Sequence, residues 1–129
     1  MQPEVDTLLV QWEENYKKGL LTFWMLLLLY DRPMYALELG PAVAQASRGT
    51  ISADSNSVYR ALRRFERLGL VSSTWQDSAV GPQRRYYELT ALGHDLLSQF
   101  IRRNILLFQE SDVAARIQAV ITPAEEGTN

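Results

Sequence analysis

The chain contains no cysteine, a single histidine, and only seven glycines and five prolines among 129 residues. Each shortage removes a class of chemistry. Without cysteine there is no disulfide framework, no thiol nucleophile and no cysteine-based zinc site; a cytoplasmic location fits. His94 stands alone, so neither a metal cluster nor a Ser/His/Asp set can be assembled around it. The scattered glycines form no phosphate-cradling loop. These shortages argue against an enzyme, and no metal or cofactor is expected. Long apolar runs are missing too. The strongest, LLTFWMLLLLY from Leu20 to Tyr30, falls short of the roughly 20 residues a membrane span needs. Asp31-Arg32-Pro33 follows it instead of a small-residue cleavage site, so the run reads as a buried helix and no membrane partner is expected.

What is present is a large apolar fraction and an uneven charge. Hydrophobic residues make up 47% of the chain, ample for a packed core. The net charge of −2 hides a segregation. Residues 1–55 carry four basic and seven acidic side chains, residues 56–103 eight and four, and residues 104–129 one and four. A basic middle between acidic ends is the pattern of a local phosphate-binding face.

The first half reads as helices. Val5 to Tyr30 forms one helix, or two joined near Lys17-Lys18-Gly19, and Pro33 ends the run. A second helix is predicted from Met34 to about Ala46, with Leu37, Leu39 and Val43 as apolar contacts and Pro41 kinking or splitting it. After the polar connection Arg48 to Ala53, Asp54 is placed to cap a third helix. From Ser55 to Leu68, the residues Val58, Ala61, Leu62, Phe65 and Leu68 recur on one face, and Asn56, Arg60, Arg63 and Arg67 fall opposite. Gly69 suits a C-cap. Leu70 to Trp75 and Arg84 to Leu89 read as strands around a loop containing Gly81 and Pro82. Thr90 caps a last helix running to about Ile121, whose apolar positions exceed one narrow stripe and call for a partner chain. The segment after Thr122 reads as a disordered tail.

Three helices, a strand, a loop, a strand and a long helix make a mainly α protein with a small β-hairpin. This order is that of a winged helix-turn-helix with long N- and C-terminal helices, the last of which is expected to serve dimerisation. The expected domains are 1–90 for the winged helix, 91–122 for the dimerisation helix and 123–129 for the tail. In such a fold the third helix enters the DNA major groove, and the hairpin reaches flanking phosphates.

TISADSNSVYRALRRFERLGLV, followed by GPQRRYYELTALGHDLL, resembles the PadR family of bacterial transcriptional regulators. The matching positions are Tyr59, Leu62, Phe65, Glu66, Gly69 and Leu70, then Gly81, Arg84, Tyr86, Tyr87, Leu89, Thr90 and Gly93. Phe65 stands where leucine is usual. The similarity implies a short subfamily with a single helix after the wing, dimerising through that helix and the N-terminal one. It also implies a repressor relieved by a small aromatic effector. Short members place an aromatic residue of the last helix in the space between subunits, where this chain has Asn104.

The candidate DNA contacts are Tyr35, Asn56, Ser57, Tyr59, Arg60, Arg63, Arg64, Gly81, Arg84 and Arg85. Arg60 and Arg63 are the strongest of the helix arginines, and Arg84 is favoured over Arg85 for a phosphate. Candidate effector contacts are Trp12, Asn104 and Phe108. The dimer interface is assigned to Leu9, Trp12, Leu97, Phe100, Ile101, Asn104, Leu107 and Phe108. The expected partners are a pseudo-palindromic double-stranded operator, a second copy of the chain and a small aromatic ligand. The competing reading is a winged helix that docks proteins without binding DNA; binding that weakens steeply with salt separates the two.

Overall fold

A computed structural model describes residues 2–123, with side chains from Glu4 onward. The tail expected at 123–129 lies outside the described residues apart from Pro123. The chain forms two compact units, the first ending at Asp95 and the second beginning at Leu96.

The first unit opens with α1 (Gln2–Lys17) and α2 (Leu20–Asp31), so the N-terminal run is two helices broken at Lys18-Gly19. The apolar run is α2, and Met25, Leu26 and Leu29 are its buried positions. No helix among the described residues is long and apolar enough to cross a membrane. The chain then departs from expectation at Met34. Met34–Tyr35 is a short strand, β1, and α3 starts only at Ala36 (Ala36–Ala46). The reason is tertiary: Met34 pairs with Tyr87 and Tyr35 with Tyr86 on a strand some fifty residues away in sequence, a pairing no local pattern announces. Pro41 neither splits nor ends α3. Leu37, expected as an apolar contact, is exposed, and Leu39 and Val43 carry the packing.

The loop to α4 (Ser55–Arg67) is tied by Ser47, whose Oγ donates to the Ile51 carbonyl and accepts from the Ile51 N–H. α3 packs on α2 and on α4. Gly69 has φ +80°, and the Leu70 N–H donates to the Phe65 carbonyl at 2.8 Å, which turns the chain out of α4. Leu68 caps the helix and is exposed instead of lying on its apolar face.

β2 (Val71–Gln76) and β3 (Arg84–Leu89) form the hairpin, and β1 adds to the far edge of β3, giving the sheet order β1-β3-β2. Thr90 joins the end of the hairpin to α5 (Ala91–Asn104) by using its hydroxyl twice. The Oγ1 donates to the Gly69 carbonyl at 2.6 Å and accepts from the Gly93 N–H at 3.1 Å.

The expected single last helix is interrupted. α5 ends at Asn104, a 3-10 turn spans Leu106–Gln109, and α6 runs over Ser111–Ile121. Asn104 Nδ2 donates to the Phe100 carbonyl at 3.1 Å, occupying an acceptor near the helix end. Leu106, Leu107 and Phe108 are consecutive and cannot share one face of a straight helix; all three are exposed on the turn. No glycine or proline marks this break, so periodicity alone runs through it.

Candidate nucleic-acid interface

The site begins with the cap of α4. Asp54 Oδ1 accepts the Ser57 N–H at 2.7 Å, and this backbone hydrogen bond, with the Ser57 hydroxyl second, holds the Asp54 carboxyl below its usual range. The helix it starts is strongly two-faced. Val58, Leu62 and Phe65 are 0%, 0% and 1% exposed. At about 100° per residue, Asn56, Arg60, Arg63 and Arg67 lie on the opposite side, and all four are exposed. Arg60 Nη2 donates to Ser57 Oγ at 3.3 Å, so the first turn and the arginine face are joined at the surface. Arg64 and Ser57 occupy one flank, while Tyr59, 39% exposed, and Glu66 occupy the other.

That second flank faces the hairpin. In β3 alternate side chains take opposite faces. Tyr87 is buried, and burial foremost pushes its phenol pKa up, with the Arg85 guanidinium offsetting part of the shift. Arg85 turns toward α4, its Nη2 lying 3.1 Å from Glu66 Oε1 and its Nε donating to Ser73 Oγ at 2.8 Å. Arg84 turns the other way and lies 4.4 Å from the centroid of the Tyr35 ring. Tyr35 meets Tyr86 edge-on at 5.4 Å. Its N–H donates to Glu38 Oε1 at 3.2 Å, and Glu38 pairs with Arg32 at 3.2 Å, so the start of α3 is fixed from both sides. The hairpin loop closes through Gln83 Nε2 donating to Asp77 Oδ1 at 2.8 Å, and Gly81 supplies a positive φ at its tip.

Between α4 and the hairpin runs a groove of about 540 Å³, bordered by Tyr35, Tyr59, Arg63, Trp75 and Arg84. The structure thus brings Tyr35, Tyr59, Arg63, Arg84 and Arg85 of the candidate contacts together. Asn56, Ser57, Arg60 and Arg64 continue along the same helix, and Gly81 stands at the loop tip. Two features of the site go beyond the residues expected from sequence. Trp75, 62% exposed, sits opposite Arg85 across the hairpin, on the face of β2 shared with Val71 and Ser73; that alternation was the available signal. A recess holding Lys17 and Lys18 together with Asp54 and Ser57 was not foreseeable, because it joins the end of α1 to the start of α4.

The other candidates are placed as follows. Trp12 is 74% exposed on α1, and Leu9 is exposed beside it. Leu97 is only 4% exposed within the single chain, which leaves it little surface to give a partner. Phe100, Leu107 and Phe108 are exposed, Ile101 is half-buried, and Asn104 uses its amide on the Phe100 carbonyl. No group of three or more metal-ligating side chains occurs among the described residues.

Residues 25–99 match the family model described as the transcriptional regulator PadR-like family. A PadR family transcriptional regulator from Eggerthella lenta is 22% identical, with 93% of this chain and 98% of that one covered at a TM-score of 0.70. A PadR-like regulator from Bacillus cereus is also 22% identical, covering 85% and 99% at a TM-score of 0.63. PadR of Bacillus subtilis, solved in complex with operator DNA, is 16% identical, covering 81% of this chain and 60% of that one at a TM-score of 0.61. These likenesses establish the winged-helix fold. A curated relative, an uncharacterized protein of Lysinibacillus sphaericus, is 22% identical over 85 residues, 66% of this chain and 78% of that protein.

Proposed function

Because the chain belongs to the PadR-like family of transcriptional regulators, whose members are not enzymes, we propose that it is a dimeric repressor that binds a pseudo-palindromic operator. One observation carries this. The exposed Asn56/Arg60/Arg63 face of α4 lies beside a hairpin that presents Arg84, which is the layout for a helix in the major groove and a wing on its flank. On this reading Arg60 and Arg63 address base edges or phosphates, and Asn56, Ser57, Tyr59, Arg64 and Tyr35 line the approach. Arg84 and the backbone at Gly81 meet the flanking phosphates. The operator complex of B. subtilis PadR supports the assignment by likeness of fold.

The dimer draws support from apolar side chains that each unit leaves uncovered. Leu9 and Trp12 are exposed in the first unit, and Phe100, Leu107 and Phe108 in the second. Such surface is ordinarily covered by a partner. Domain 1–90 would then read DNA, and residues 91–122 would join the subunits. A small aromatic effector would act by changing the separation of the two recognition helices, with Trp12, Asn104 and Phe108 as its candidate contacts. Cytoplasmic residence follows from a chromosomal target.

Selection from a pool of random duplex DNA at two salt concentrations tests the assignment. Recovery of an inverted repeat with half-sites about one helical turn apart is expected. Arg60→Ala and Arg63→Ala should each weaken binding to it, a guanine contact costing about 1–3 kcal/mol in discrimination. Weak, unselective binding that disappears at moderate salt would leave the protein-docking alternative standing.

A further inference from the structure

The two adjacent arginines of β3 carry one formal charge each, yet their surroundings differ. Arg85 closes a three-membered ring of hydrogen bonds with Glu66 of α4 and Ser73 of β2. Its Nη2 reaches Glu66 Oε1 at 3.1 Å, its Nε donates to Ser73 Oγ at 2.8 Å, and Ser73 Oγ donates to Glu66 Oε2 at 2.7 Å. The guanidinium is thereby held by groups on the protein, and Glu66 neutralises its charge. Arg84 has a ring face beneath it and pairs with no carboxylate among the described residues. We propose that Glu66 is a positioning residue that locks the hairpin to the DNA-reading helix through Arg85 and Ser73. The two arginines then divide the work, Arg84 meeting the DNA phosphate and Arg85 serving as a strut.

The physical reason is competition. A phosphate that took Arg85 would have to replace a carboxylate already bound to it, leaving Glu66 facing the DNA unpaired. Arg84 gives up only a cation–π interaction when it swings out, and such interactions are weak at exposed sites. The strut matters because α4 and the hairpin must present their DNA-facing groups at one fixed spacing, and the ring is a side-chain connection between them on the flank that faces the groove. The phosphate role of Arg84 rests on the DNA-binding assignment above; the strut does not.

The test uses the full-length protein and mixed-sequence duplex DNA, with affinity measured across a salt series. Arg84→Gln should lower the slope of log affinity against log salt by about one per subunit, because one fewer phosphate is neutralised. Arg85→Gln should keep the slope and weaken binding roughly two- to fivefold, the scale of a partly exposed charge pair. Glu66→Gln is the sharp case. Removing a negative charge beside DNA would by itself tighten binding, so a comparable weakening is expected only if Glu66 positions the wing. The double variant Glu66→Gln/Arg85→Gln should bind no worse than either single, and the reversed pair Glu66→Arg/Arg85→Glu should recover most of the affinity. Tighter binding by Glu66→Gln, together with a slope lowered by Arg85→Gln, would overturn the proposal and make Arg85 the phosphate ligand. Should the wild-type protein show no salt-dependent affinity, the DNA-binding assignment fails. Urea denaturation of Glu66→Gln, Arg85→Gln and their double variant still decides the strut, since additive effects of the two single changes on stability would refute it.

Discussion

The guanidinium of Arg84 lies 4.4 Å from the centre of the Tyr35 ring, joining β3, the central strand of the sheet, to the residue that caps α3. This packing explains why Tyr35 leaves the helix for a strand: its ring sits between Arg84 and the edge of Tyr86. Tyr35→Phe keeps the ring and should leave stability within about 0.5 kcal/mol, whereas Tyr35→Ala should cost roughly 1 kcal/mol or more in urea denaturation. If the Tyr35 hydroxyl also meets DNA, Tyr35→Phe will weaken DNA binding at unchanged stability. Equal DNA affinity for Tyr35→Phe and wild type would remove Tyr35 from the DNA-facing residues.

The cap of α4 gives a pH signature. Asp54 is held below its ordinary pKa of 3.8 by the Ser57 N–H. A depressed carboxyl stabilises the fold above its unfolded value and ceases to do so as pH falls through the folded one. The difference in melting temperature between wild type and Asp54→Asn should therefore shrink as pH is lowered from about 5 through the acid range. Asn retains a capping oxygen but does not titrate, whereas Asp54→Ala should be less stable at every pH. Parallel pH curves for wild type and Asp54→Asn would show that the carboxylate charge contributes nothing.

Gly93 sits where a side chain has no room. A Cβ there would drive into the Leu70 carbonyl oxygen, which is backbone and cannot swing aside, and would meet Leu89 Cδ1 at 2.7 Å. Gly93→Ala should destabilise by about 3 kcal/mol or more despite alanine's better helix propensity. Chemical denaturation measures it directly. A neutral result would mean that α5 does not start against the hairpin as described.

Phe65 fills the centre of the core at 1% exposure. Phe65→Ala should cost about 3–5 kcal/mol through reduced burial and the cavity left behind. Phe65→Leu, which restores the residue usual at this position in the resembled family, should cost less than about 1.5 kcal/mol. Similar costs for both variants would mean that ring shape, not volume, is what the core requires.

The exposed apolar surface makes a prediction about assembly. Wild type should sediment as a dimer, and Trp12→Glu and Phe108→Glu should each shift it toward monomer at the same concentration. A monomeric wild type would leave those side chains without the proposed partner.

Many of these features are legible in the residues alone. The alternation of Val58, Leu62 and Phe65 with Asn56, Arg60 and Arg63 set both faces of α4, because a helix carries its periodicity in its own sequence. Asp54 and Thr90 marked helix starts through side-chain chemistry that acts within three residues. Gly69 marked the exit from α4 for the same local reason. The fold class and the basic face therefore followed from residues near one another in the chain. The strand at Met34-Tyr35, the break after Asn104 and the partners that Arg84 and Arg85 meet did not. The strand and the arginines depend on partners that folding alone brings within a few ångströms: Tyr87 and Tyr86 for the strand, Glu66 and Ser73 for Arg85. Strand alternation puts these two neighbouring arginines on opposite faces but does not say what either one meets. Only the tertiary structure sets a carboxylate beside one and an aromatic ring beneath the other, because both partners come from elements remote in the chain.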